Sequence, residues 1–357
     1  MKGSLLGTAI DPSSTDVGLL PGSPDLRRLS NPKNGSWLEF RKTLRPNYFR
    51  AWFELFLCIV FLIAGFAAHL YLTHWYGNAF GLKIGILFAL WIGFWLNAVL
   101  TFGHEAAHYN LASDKNRNDV FSDWTIWLFF PQSTKSYRRS HWQHHLHLGD
   151  HEDTEISYHN CLSPWFLARA ITGAHLTTLV VRYFFHKKLL GATKNVATAT
   201  QTNSDAHTAA QSVDAVSFLR AIAAHTLFVV IALAFRCYST AIVWLFAVIF
   251  LFPFFASIRQ ILEHRAAPAL CETDFMQELH GPVNRIFGKD PFSIFFGAAG
   301  FNRHLLHHWD PTVSYTRFDE MQLFLTETEL QPRLKAAKST YLSTFAALLK
   351  AAVRNGL

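Results

Sequence analysis

The chain has 357 residues, of which 50% are hydrophobic, 15% are aromatic and 16% are charged, and its net charge is +7. This charged fraction is low for a soluble domain, so the composition indicates a membrane protein. In that setting the modest positive charge reflects the orientation of loops, and a nucleic-acid partner is not expected.

The chain begins with a polar and basic stretch, residues 1–50, that is expected to be a poorly ordered tail up to about Pro46. Four apolar segments follow, each near the roughly 20 residues that a bilayer-spanning helix needs. Their predicted bounds are Phe53–Leu72, Phe80–Phe102, Val216–Phe235 and Ala241–Ile258. The last is marginal in length, and Pro253 is expected to kink it.

Short connections pair these segments into two hairpins, residues 51–103 and 216–258. The two connections carry a single formal charge, Arg236, while the rest of the chain holds nearly all Lys and Arg. The positive-inside rule then places residues 104–215 and 259–357 in the cytoplasm, together with the N-terminus. The predicted fold is an all-α membrane protein with four transmembrane helices and a cytoplasmic helical cap.

Three further apolar stretches are too short or too charged to span comfortably and suit interfacial or re-entrant helices. They are Val120–Phe130, Trp165–Phe185 and Phe292–Phe301. Residues 191–214, rich in Ala, Thr, Ser, Gln and Asn, are expected to form a flexible linker within the cap.

The four cysteines are scattered, without C-x-x-C spacing, which argues against a disulfide framework, a thiolate zinc site or an iron–sulfur cluster. Each is expected to be a small buried hydrophobic residue. They are Cys58, Cys161, Cys237 and Cys271.

Nine histidines form four clusters, each on the predicted cytoplasmic side. The sequence contains one H-x-x-x-H, two copies of H-x-x-H-H and one isolated Glu-His pair. Spacings of three and four residues place imidazoles on one face of a helix, so each helix can offer two or three ligands. Nine imidazoles exceed what one metal holds and predict two metals with four or five nitrogen ligands each. The predicted ligands are His104, His108, His141, His144, His145, His264, His304, His307 and His308.

Other histidines are expected to lie outside this ligand set. His69, like other single histidines at a membrane border, is interpreted as an interfacial polar residue. His147, His151 and His159 follow the second cluster and are also left out.

Carboxylates beside the clusters could orient the imidazoles, because a metal-bound imidazole usually donates its other N–H to a carboxylate or carbonyl. Glu105, Asp153 and Glu263 are the chosen candidates. Asp150, Glu155 and Asp310 also lie beside clusters.

Two alternatives to a metal-dependent oxidase remain open. His104-Glu-Ala-Ala-His108 matches the zincin motif, with Glu105 as general base, but a zinc protease leaves both H-x-x-H-H clusters unexplained. A metal transporter predicts ligands near the bilayer midplane, whereas these clusters follow the ends of the spans.

The boxes H-E-A-A-H, H-W-Q-H-H and H-L-L-H-H resemble those of the integral-membrane fatty acid desaturase and hydroxylase superfamily. That superfamily also contains alkane hydroxylases and a membrane fatty acid decarboxylase that makes terminal alkenes. Arg259-Gln-Ile-Leu-Glu263-His264-Arg265 is similar to an element after the last span of those proteins. The resemblance implies two iron ions, O₂ as co-substrate, two electrons and a fatty acid or fatty acyl substrate in membrane lipid.

The resemblance places desaturation first, on family frequency. Oxidative decarboxylation of a free fatty acid to a terminal alkene and hydroxylation of an acyl or alkyl chain remain alternatives. The chain has no redox-cofactor motif of its own, so a ferredoxin or rubredoxin with its reductase is the expected electron donor. Lys135, Arg138 and Arg139 could meet an acidic donor or lipid phosphates.

Overall fold

A computed structural model describes residues 20–172 and 215–354, and the predicted linker at 191–214 lies outside them. Long helices form a bundle, and shorter helices form a cap at one of its ends. A small antiparallel hairpin, β1 (Ser30–Asn31) and β2 (Gly35–Ser36), pairs Ser30 with Ser36. The helices are α1 (Trp37–Thr43), α2 (Tyr48–Tyr76), α3 (Asn78–Ala107), α4 (Lys115–Thr125), α5 (Thr134–His147), α6 (Pro164–Ile171), α7 (Ala215–Ala234), α8 (Tyr238–His264), α9 (Pro291–Phe296), α10 (His304–Trp309), α11 (Phe318–Thr326), α12 (Gln331–Ala336) and α13 (Tyr341–Arg354).

In the part of the chain that the structure describes, four helices are long and apolar enough to cross a membrane. They are α2, α3, α7 and α8, and each contains most or all of one predicted apolar segment. The predicted all-α fold with four membrane-spanning helices is therefore confirmed. The fourth helix, expected to be marginal, is 27 residues long because it continues to His264.

Tight turns join the spanning helices in pairs. Gly77 is the single residue between α2 and α3, and its φ of 82° is a backbone conformation that a residue with a Cβ rarely adopts. Asn78 ties the two turns together, because its side chain donates to the carbonyl of Arg236 and accepts from the amide of Ser239. Both turns therefore lie at the end of the bundle opposite the cap.

The predicted irregularity at Pro253 takes the form of a π-helical stretch, Ala247–Leu251, just before the proline. Proline lacks the amide hydrogen that would close the preceding helical turn, so the wider turn absorbs the mismatch. The helix then continues from Phe252 and carries its last residue, His264, into the cap.

The third helix is the centre of the bundle. In its apolar stretch 56% of the residues are buried, against 22–39% in the other three. His69, expected to be interfacial, instead lies buried between helices, where its ring nitrogens bond Thr240 and the carbonyl of Gly81. This buried polar contact joins α2, α3 and α8, and it satisfies both ring nitrogens of a polar group that would otherwise be costly to bury.

Residues 20–46 are packed against the cap, which corrects the expectation of a poorly ordered tail for this part. Trp37 is 1% exposed and donates from Nε1 to Asp310 at 3.0 Å. Ser23 donates to the carbonyl of His308 at 2.8 Å. Leu26 and Leu29 join the same core. This segment therefore covers the helix that carries the last histidine cluster.

Short helices occur within the three stretches expected to be interfacial. The first gives α4 and a 3₁₀ turn, the third gives α9 and the turn Ala298–Arg303, and the second is described only as α6, through residue 172. On α4, Phe121 and Trp124 are 50% and 65% exposed. Such outward aromatic side chains are typical of helices that lie at a membrane surface.

The cysteines differ from expectation at two positions. Cys58 and Cys237 are buried and free, as predicted. Cys161 and Cys271 are not buried, and they form a disulfide with their Cα atoms 5.1 Å apart. The sequence gave no sign of this pair because 110 residues separate the two positions.

Candidate metal centre

Four elements bring the histidine clusters to one end of the bundle. His104 lies in the last turn of α3, and His108 directly follows that helix. α5 carries the second cluster, α8 ends on His264, and α10 carries the third box. Each spanning helix thus continues far enough to deliver its histidines into the cap.

A sharp backbone turn aims α10 at the other clusters. Ala299 and Gly300 have φ values of 51° and 83°, in the left-handed region. A Cβ on Gly300 would lie 2.3 Å from Cβ of Tyr315, so only glycine fits there. The turn reverses the chain just before His304, and all six residues of α10 are buried.

The nine predicted ligands form two groups, and the nitrogen atoms within each group lie within 4.8 Å of one another. The five-histidine group contains His104, His108, His141, His145 and His307. The four-histidine group contains His144, His264, His304 and His308. The count agrees with the expectation of two sites with four or five nitrogen ligands. His147, His151 and His159 belong to neither group.

Each H-x-x-H-H box is divided between the two groups. His141 and His145, four residues apart, enter the five-histidine group, whereas His144 enters the other. In the third box His304 and His308 enter the four-histidine group, and His307 crosses to the five-histidine group. The two helices therefore hold the groups side by side, since each contributes to both.

Hydrogen bonds at Nδ1 fix the tautomers of three histidines. His144 donates from Nδ1 to Asp153 at 2.8 Å, and His141 donates to Glu155 at 2.9 Å. His264 donates to the carbonyl of Val283 at 2.9 Å. These oxygens only accept hydrogen bonds, so Nδ1 carries the hydrogen and Nε2 of the neutral ring presents a lone pair.

Within each group the Nε2 atoms approach closely. Nε2 of His307 lies 2.8 Å from Nε2 of both His104 and His145. Nε2 of His304 lies 3.1 Å from Nε2 of both His264 and His308. A neutral imidazole has only one ring hydrogen, so five or four rings facing one point leave lone pairs that a cation would satisfy. Nε2 of His108 and of His144 are buried without a hydrogen-bond partner, which fits the same explanation.

Burial keeps most of these rings neutral, the form that binds metal. It lowers the pKa well below the usual value for His108, His145, His304, His307 and His308. His144 differs: burial opposes its charged form, but the charges of Asp153 and Glu155 outweigh burial and raise its pKa to about 9.

The three candidate carboxylates have different surroundings. Asp153 bonds His144 and also accepts from the hydroxyl of Tyr158 at 2.5 Å. Glu105 accepts from Ser314 at 2.8 Å, and Glu263 pairs with Arg259 at 2.7 Å. Of the three, Asp153 alone has a hydrogen bond to a clustered histidine among the described contacts.

Sequence reasoning left three contributors out of the candidate set. Glu155, noted only as a neighbour of the second cluster, bonds His141, and its other oxygen accepts from Gln260. Tyr158 holds Asp153 in place. Phe301 packs its ring 4.6 Å from that of His104 and 4.7 Å from that of His304, so it contacts both groups. Its position directly before Asn302-Arg303-His304 was the available signal.

The basic residues before the second cluster are not equivalent. Arg138 is 6% exposed, pairs with Asp119 through two contacts, and donates to the carbonyls of Ala106 and Ala107. It is therefore not available to an electron donor, contrary to expectation. It holds the C-terminal turn of α3 against α5, between His104 and His141. Lys135 and Arg139 are exposed.

Fold and site together define a helical membrane protein with two buried polyhistidine groups at one end of its bundle. The chain matches the fatty acid desaturase family over residues 82–334, more than half its length, and this range includes all nine clustered histidines. The protein belongs to the fatty acid desaturase family and is an oxidoreductase. No curated protein and no solved structure matches the chain.

Proposed function

We propose that this protein is an O₂-dependent di-iron enzyme that desaturates a fatty acyl chain. The observation that carries the proposal is the pair of histidine groups, five and four residues in size and held by shared helices. Iron bound there would supply activation of O₂ for oxidation of an unactivated C–H bond. Desaturation balances as one O₂, two electrons, two protons and a CH₂–CH₂ unit giving a double bond and two waters.

The ligand set supports iron over structural zinc. Imidazole suits iron, zinc, copper and nickel, so the ligand type alone leaves the metal open. Structural zinc sites are almost always four-coordinate, whereas one group here gathers five imidazoles. The family membership adds the expectation of iron, because oxidation by O₂ needs a redox-active metal.

The chain's own residues would orient and seal the site. Asp153 and Glu155 would hold His144 and His141 with Nε2 facing inward. Phe301 closes one side of both groups, and Arg259 lies over its other face, 3.9 Å from the ring centroid. Close packing of this kind excludes water from the histidines, which are all 9% exposed or less.

The geometry does not favour the zinc protease. A general base must reach the water that it activates. Glu105 is instead buried against Ser314, and one of its oxygens lies 3.9 Å from Nδ1 of His104, on the side of that ring opposite Nε2. The protease would also leave the four-histidine group without a role.

The electrons must come from another protein, and we propose a ferredoxin or rubredoxin with its reductase. Exposed Lys135 and Arg139 offer a positive surface beside α5 for an acidic donor. By the positive-inside rule the cap faces the cytoplasm, where such donors are reduced.

The test combines metal analysis with product analysis. Purified protein should hold two irons per chain, and cells that express it should gain unsaturated fatty acids in gas chromatography–mass spectrometry of their lipids. A hydroxylated chain or a volatile 1-alkene in the headspace would instead assign hydroxylation or decarboxylation. One zinc per chain without iron, or unchanged lipids and headspace, would overturn the proposal.

A further inference from the structure

The last helix, α13, has three distinct faces rather than two. Its first face is buried against the cap and consists of Tyr341, Thr344, Leu348 and Ala352. A second, apolar stripe is exposed or half-buried and consists of Leu342, Phe345, Ala346, Leu349 and Val353. The third face, also exposed, consists of Ser343, Ala347, Lys350 and Arg354.

The apolar stripe is more than a cap-packing helix requires. A helix that packs on a core and otherwise meets water needs a single apolar face. Here Leu342 is 77% exposed and Val353 is 55% exposed, one near each end of the helix. The spacing of the stripe, with steps of three and four residues, gives it the length of the whole helix.

This stripe is continuous with the membrane face of the protein. The ring of Tyr341 packs 4.9 Å from that of Phe296 on α9, and Phe296 lies 6.2 Å from Phe94 on the spanning helix α3. On the same short helix Phe295 is 41% exposed and lies 5.5 Å from Trp95 of α3. The exposed apolar surface thus runs from the bundle, across α9, to α13.

The charge of this region has one sign. Residues 331–357 contain five basic residues and no acidic residue. Lys350 and Arg354 on α13, and Lys335 and Lys338 just before it, are exposed. A basic face beside an apolar stripe is typical of helices that lie in the interface of an anionic bilayer.

We propose that α13 lies in the membrane interface, with the Leu342–Val353 stripe in the lipid and Lys350 and Arg354 at the phosphates. The occupant of the stripe is membrane lipid rather than a second copy of the chain, because the stripe adjoins the spanning helices and its flank is uniformly basic. The helix lies beyond residues 82–334 that match the family, so it is an anchor carried by this chain outside the matched region.

Two adjacent alanines provide a matched test. Ala346 lies on the stripe, Ala347 lies about 100° around the helix on the third face, and both are exposed. Ala346→Cys and Ala347→Cys are each spin-labelled in the full-length protein, in vesicles of phosphatidylcholine with phosphatidylglycerol. Unmutated protein treated with the same label corrects for the natural cysteines. Collision with O₂, which partitions into lipid, and with a water-soluble nickel chelate is then measured.

The label at 346 is expected to have a severalfold higher ratio of O₂ to nickel accessibility than the label at 347. Equal ratios at the two positions would overturn the proposal. Protection of the 346 label from both reagents would also overturn it, because that result indicates a protein partner, such as a second copy, over the stripe. Since the readout is lipid contact, the result does not depend on enzyme activity.

Discussion

His304 and His307 lie one turn apart on α10, yet they belong to different groups. Nε2 of His307 lies 2.8 Å from that of His104, whereas Nε2 of His304 lies 3.1 Å from that of His264. A single six-residue helix therefore takes part in both sites. The same division occurs on α5, in the opposite sense, so the two groups are assembled together or not at all.

We predict that His304→Ala and His307→Ala deplete different sites. Each variant loses a ligand from one group and keeps the other group's full set, so iron should fall from two toward one per chain. Both should lose oxidation activity, because the proposed chemistry uses both irons. Metal analysis of purified protein and lipid analysis of expressing cells measure the two effects.

The control for these variants is His151→Ala. His151 follows the same box but belongs to neither group, and its side chain is 54% exposed. Full iron content and activity are expected. Unchanged iron in His307→Ala would contradict the assignment of that residue as a ligand.

We predict that Asp153→Asn weakens metal retention. The carboxylate orients His144 and is itself held by Tyr158. Loss of such a partner commonly reduces metal affinity or activity by about 10–100-fold. Competition with a chelator measures the affinity. Asp150→Asn, at an aspartate that pairs only with exposed His151, should match the unmutated protein, and equal affinities in both variants would refute the orienting role.

Stability should depend on the buried pair of Arg138 and Asp119. In Arg138→Met the Asp119 carboxylate would stay buried without its cation, which typically costs about 3–5 kcal/mol. The carbonyls of Ala106 and Ala107 would also lose their donor. The expected result is a clearly lower thermal midpoint in detergent. Exposed Arg139→Met should change stability by no more than about 0.5 kcal/mol, and similar losses in the two variants would argue against this role.

The Cys161–Cys271 pair tests the orientation of the cap. Disulfides persist in oxidising compartments, whereas the predicted cytoplasmic side keeps thiols reduced. We therefore predict that acid-quenched alkylation of intact cells finds both thiols free, and that the bond forms after purification in air. A bond already present in intact cells would contradict the cytoplasmic placement.

Closure of this disulfide should also raise the stability of the purified protein. It would tie a loop of about a hundred residues, for which the chain-entropy account gives about 4–5 kcal/mol. Thermal midpoints with and without a thiol reductant measure the effect, and Cys161→Ser is expected to abolish the difference. A reductant effect that survives in Cys161→Ser would exclude this pair as its source.

The sequence by itself determined the membrane class, the four spanning helices and the nine histidines. Apolar length is a local property, and a spacing of three or four residues defines a helix face without knowledge of any neighbour. The sequence also predicted the number of sites, since nine imidazoles are too many for one metal.

Only the tertiary structure decided how the histidines are shared. The division of each box depends on which rings of α3, α5, α8 and α10 meet, and no local pattern encodes the crossing of four helices. The same limit applies to Cys161 with Cys271, to residues 20–46 on the cap, and to Asp153 as the carboxylate that bonds His144. These are contacts between distant parts of the chain, and they form only once packing has fixed where each helix ends.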